Sequence, residues 1–165
     1  MGLTASLSAL SQWWAVYYAD HQMVSLVVGY LHLAALMVGG GTALAIDRLV
    51  LGSARARTDD RRHAALSALR GSHAVVVPAL IVVAASGGLM AAADWPTFEA
   101  SNLFWIKMGL FVLLLANGAA LVGAERAFAK GGDTRMWRRV ILASGTSFLL
   151  WLLILWMGEW LTVAA

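Results

Sequence analysis

Four long apolar runs limit what this chain can fold into. Met23 to Ile46, Gly71 to Ala93, Leu103 to Ala124 and Val140 to Thr162 each exceed the roughly 20 residues a helix needs to cross about 30 Å of hydrocarbon. Lipid offers no partner to a peptide N–H or C=O, so a run immersed in it must close its hydrogen bonds internally as a helix. Composition agrees: 61% of residues are hydrophobic and 13% charged, against about 25% charged in a soluble domain. The mean hydropathy is +0.75. The sequence thus predicts an all-α integral membrane protein, with four transmembrane helices in an antiparallel bundle forming a single domain over residues 1–165.

The charges divide by loop. Arg48, Arg55, Arg57, Arg61, Arg62 and Arg70 lie between the first two runs, and Arg126, Lys130, Arg135, Arg138 and Arg139 between the last two. Two spans separate these loops, so they share a side, which the positive-inside rule assigns to the cytoplasm. Asp20, Asp94, Glu99 and Glu159 mark the other side. The expected protein is N-out and C-out in a prokaryotic inner (plasma) membrane. Its net charge of +3 follows the loops rather than a basic patch, so no nucleic-acid partner is expected. With no cysteine in the chain, thiolate metal sites and Cys nucleophiles are excluded, and redox chemistry would require a bound cofactor.

Residues 1–20 lack the basic start and cleavage pattern of a signal peptide, and the expectation is that they are retained. Leu3, Leu7, Leu10, Trp14 and Tyr17 recur at helical spacing opposite Thr4, Ser8 and Ser11. That pattern reads as an interfacial amphipathic helix, anchored by Trp13, Trp14, Tyr17 and Tyr18.

Ionisable groups within the runs are costly in hydrocarbon and are candidates for function. His32 lies early in the first run, on a stripe with Gly29, Leu36, Gly39 and Ala43. Small residues on that stripe would let a neighbouring helix or a flat cofactor approach closely. Two readings fit: a histidine hydrogen-bonded to a neighbouring helix, or a ligand or proton-handling group. Lys107 is the one basic residue outside the two loops. It can snorkel, pair with Glu159, or meet the carboxylates of a cofactor. Pro78 is expected to kink or loosen the second helix, and Ser86, Gly87 and Gly88 allow another close approach. His73 is near the basic end, about 18 Å in depth from His32 by helical rise, so the two cannot ligate one haem from opposite faces.

Leu31 and His32, Pro78 and Gly88, Trp105 and Lys107, and the stretch Ala127 to Gly131 follow an order that resembles the HemJ-type membrane protoporphyrinogen oxidases. That family also resembles the membrane domain of CopD-type copper proteins. The likeness spans most of Tyr30 to Trp160. It implies a haem b associated with His32 and Lys107, as the key functional residues, and oxidation of a tetrapyrrole. This chain differs from the family pattern in MVGGGTALAIDR at the end of the first span, and in Ser144 to Ser147, where the family has an acidic-x-proline.

Three functions are weighed. The first is a haem-associated redox protein with His32 as iron ligand, Lys107 paired to a propionate, and Gly29, Gly39 and Glu159 around the cofactor. The second is a CopD-like copper or small-solute pathway using His21, Gln22, Met23, His32, and Met37 or Met90, since nitrogen and thioether ligands suit Cu(I). The third is a non-catalytic subunit of a membrane complex, or a homo-oligomer, in which Trp151, Trp156 and Trp160 face a partner or the lipid bilayer.

Overall fold

The computed structural model describes residues 3–55, 59–131 and 134–164. The described residues are helical almost throughout and contain no strand. Helix α1 spans Leu3–Asp20, α2 Gln22–Ala35, α3 Gly41–Gly52, α4 Asp59–Ala93, α5 Trp95–Ala100, α6 Asn102–Gly131 and α7 Thr134–Ala164. A single π-helical turn, Leu36–Gly40, joins α2 to α3 without a break. Four helices are long and apolar enough to cross a membrane: Gln22–Gly52, Asp60–Ala93, Asn102–Lys130 and Thr134–Leu161.

These helices outrun the apolar stretches that define them in the sequence. Helix α4 has 35 residues, or about 52 Å at the helical rise, well beyond about 30 Å of hydrocarbon. The excess lies at the basic end. There Ala65, Leu66 and Leu69 of α4 pack with Val50, Leu121, Phe128, Trp137 and Val140 in a core of their own. Phe128 and Trp137 stack with ring centroids 5.1 Å apart. The extension is amphipathic rather than uniformly apolar, and helical periodicity places its apolar side on this core. Helix α4 continues through Pro78 without interruption.

Glycines set how closely the first span packs. A Cβ added to Gly39 would lie 2.5 Å from the Ala79 Cβ on α4, and one on Gly40 would lie 3.1 Å from the Trp151 indole on α7. Trp151 is accordingly buried, within a cluster of Ala43, Leu114, Leu150 and Ile154. At the acidic end, α1 packs against α4 and α2, and Trp14 donates its indole N–H to the Leu89 carbonyl at 2.8 Å. Leu10, Trp13 and Val16 remain exposed on α1; the side chains of Leu3, Thr4, Leu7 and Ser8 lie outside the described residues. Trp13, Tyr17 and His21 stack in succession.

Helix α6 packs along α7, α7 on α3, and α3 and α2 on α4, while α4 and α6 have little direct contact. The bundle is therefore open on one side. A cleft of about 330 Å³ runs between α4 and α6, with α3 and α7 as its floor.

Candidate functional site

His32 projects from α2 one turn before the π-turn and meets α4. Its Nδ1 lies 2.9 Å from the Ser86 hydroxyl, and that hydroxyl donates to the Val82 carbonyl at 2.6 Å. A serine hydroxyl has one proton to give. With it directed to Val82, Ser86 Oγ accepts from His32 Nδ1–H. A neutral imidazole protonated at Nδ1 presents a lone pair at Nε2; the Val83 backbone carbonyl also accepts a hydrogen bond from the ring. The sequence places Ser86 and Gly87 together, and both serve the ring: a Cβ on Gly87 would lie 3.1 Å from His32 Cε1, so the absence of a side chain lets the imidazole lie against α4.

Residues of α6 lie toward the same end of the bundle. Phe111 packs on the cluster of Ala35, Ala79 and Val83, and Ala35 lies one turn after His32 on α2. Lys107, one helical turn before Phe111, is half-buried and close enough to act electrostatically on His32. Its ammonium lies against α7, 3.3 Å from where a Gly158 Cβ would be. Glu159 is the next residue and is exposed. The structure thus brings His32 and Lys107, 75 residues apart in sequence, to one end of the bundle.

The glycines have different surroundings. Gly29, one turn before His32, has nothing within 4 Å of an added Cβ, so space is open beside it. Gly39 is filled by Ala79 and functions as a helix-packing contact. Among the methionines, Met108 packs on Phe104 and Leu161, whereas Met23 and Met37 are exposed. His21 Nδ1 lies 2.9 Å from the Tyr17 carbonyl. No group of three or more His, Cys, Asp or Glu side chains capable of holding a metal ion occurs among the described residues.

Compared with protein-family models, with curated proteins and with solved structures, the chain matches none.

A second set of polar groups lies toward the basic end. Glu125 on α6 is 4% exposed. It accepts from Arg70 Nε at 2.8 Å and from His73 Nε2 at 2.9 Å, so two residues of α4 hold one carboxylate of α6 across the cleft. His73 is thereby engaged with Glu125. Ser86, the partner of His32, lies 13 residues further along α4, about 20 Å at the helical rise. Asp47 on α3 is 2% exposed, with Ser144 and Ser147 of α7 beside its carboxyl group. Neither carboxylate is conspicuous in the sequence. Asp47 reads as the polar end of a span, and Glu125 as the first residue of a charged loop.

Proposed function

We propose that this chain is a haem-b-associated redox protein of a prokaryotic inner membrane. In this reading the basic end of the bundle is cytoplasmic, and His32 and Lys107 lie in the outer half. The observation that carries the reading is the Ser86 hydrogen bond, which directs His32 Nδ1–H to α4 and leaves the lone pair on Nε2. An axial imidazole ligand requires that arrangement: one nitrogen bound to a second group that sets tautomer and ring orientation, the other free for iron.

The donor set fits the group. His32 Nε2 supplies one axial ligand, and Lys107 supplies a cation for a propionate through a charge-assisted hydrogen bond in a region of low dielectric. The open space at Gly29 admits a flat ring edge. A bound haem would supply the one-electron chemistry. The protein's part is to hold the ring at His32, neutralise an acidic substituent at Lys107 and exclude water with Phe111 and Val83. A tetrapyrrole substrate, as in the HemJ-type oxidases, would present the same flat, anionic surface to these residues.

The test is the absorption of protein purified from haem-replete cells. The expected result is a Soret band in the native protein that is lost in His32→Ala and weakened in Lys107→Ala. A colourless native protein, or an unchanged band in His32→Ala, would contradict the proposal.

A further inference from the structure

Asp47 raises a separate question. A carboxylate withdrawn from water costs several kcal/mol unless a partner compensates. Glu125 has such partners in Arg70 and His73. Asp47 has no cationic partner among the described residues: the groups beside it are the hydroxyls of Ser144 and Ser147. Its Oδ2 and the Ser144 Oγ are both buried without a hydrogen-bond partner. The aspartate lines the cleft between α4 and α6, whose volume of about 330 Å³ falls within the roughly 300–1,000 Å³ of small-molecule sites. The walls are largely apolar, and the exposed side chains of Val77, Ile81 and Leu115 rim the open side.

We propose that this cleft binds a lipophilic monocation, its apolar body between α4 and α6 and its positive charge against the Asp47 carboxylate. Shape and charge weigh against divalent cations, anions and neutral molecules as occupants. A hard inorganic cation needs six or more oxygen ligands if it is calcium, or an octahedral shell if it is magnesium; the polar lining is the Asp47 carboxylate, the Ser72 and Ser147 hydroxyls and the His73 imidazole, which Glu125 engages, and it does not supply them. An anion would meet Asp47 with like charge. A neutral apolar molecule would fill the walls and leave the carboxylate uncompensated. Arg70 and His73 do not compete for Asp47, because Glu125 engages both. The cleft reaches Phe111 toward the His32 end, but neither His32 nor Lys107 lines it, so cation binding and haem binding are separable.

Equilibrium dialysis of the full-length protein in neutral-detergent micelles against radiolabelled tetraphenylphosphonium tests the proposal. Tetraphenylborate, of similar shape and opposite charge, is the control. The expected result is saturable binding of one tetraphenylphosphonium per chain, weakened at least tenfold in Asp47→Asn and unchanged in His32→Ala. Gly118 lines the cleft and has nothing within 4 Å of an added Cβ. Gly118→Leu therefore places a side chain in the cleft with Asp47 intact and is also expected to weaken binding at least tenfold. Circular dichroism establishes the helical content of each variant, and either variant that folds decides the outcome. Non-saturable uptake, equal affinity in the folded variants, or equal binding of tetraphenylborate overturns the proposal.

Discussion

At the residue scale, small changes at glycine separate packing from open space. Gly39 and Gly29 share a helical stripe with His32, yet a methyl group at Gly39 would lie 2.5 Å from the Ala79 Cβ, whereas one at Gly29 meets nothing within 4 Å. Both Cβ atoms at the Gly39 contact are fixed to backbone, so relief requires the helices to part. Overpacking of this kind costs about 1–3 kcal/mol, partly offset by about 0.5–1 kcal/mol from replacing a helical glycine with alanine. Gly39→Ala is therefore expected to lower the thermal unfolding midpoint in detergent, and Gly29→Ala to leave it unchanged or raise it. Equal midpoints for the two variants would contradict the packing assigned to Gly39. The sequence makes the stripe legible but not the occupant of each glycine, because helical spacing specifies a face and not the helix that meets it. His32 was likewise legible as a polar group on an apolar face. The direction of its hydrogen bond depends on Ser86, 54 residues away, and on the Val82 carbonyl that takes the serine proton.

At the element scale, the π-turn Leu36–Gly40 connects two sets of contacts. Before it, His32 meets Ser86 of α4; within it, Gly39 and Gly40 meet Ala79 and Trp151; after it, Asp47 meets the serines of α7. A π-turn accommodates one more residue than a regular turn, and so fixes the rotation of α2 relative to α3. Val38 is 57% exposed within that turn, so its removal deletes little packing. Its deletion restores regular α-helical spacing and, by removing the one extra residue, leaves the faces of α2 and α3 in nearly their native relation. The expected result is helical content by circular dichroism close to the native value, with His32 still facing Ser86 and any bound haem retained. Loss of the haem spectrum in a folded variant would show that the π-turn itself orients the histidine. Runs of apolar residues gave no sign of this turn, since its residues satisfy the same hydropathy as an ordinary helix. The amphipathic extension of α4 before Gly71 was also missed by hydropathy, although the spacing of Ala65, Leu66, Leu69 and Ser72 carries it.

At the scale of the whole molecule, the four apolar runs determined the number of long helices and their approximate extents. They did not determine the open side of the bundle. That opening follows from which helices touch: α7 and α3 occupy the middle, and α4 and α6, with little direct contact, are bridged by Glu125 with Arg70 and His73 and by the core at the basic end. Such pairing depends on side chains far apart in sequence and leaves no mark on hydropathy. The same topology separates the His32 and Lys107 end from the Asp47 cleft, giving one chain two polar sites of opposite character. The central claim is that His32 Nε2 is a ligand for haem iron, with the ring oriented by the hydrogen bond of Nδ1 to Ser86. Its most direct test is a titration of haem b into protein prepared without haem, followed by Soret absorption. The account predicts saturation at one haem per chain, affinity about 10–100-fold weaker in Ser86→Ala as expected for loss of a group that orients a metal ligand, and no specific binding in His32→Ala. Equal titration curves for the native protein and His32→Ala would contradict it.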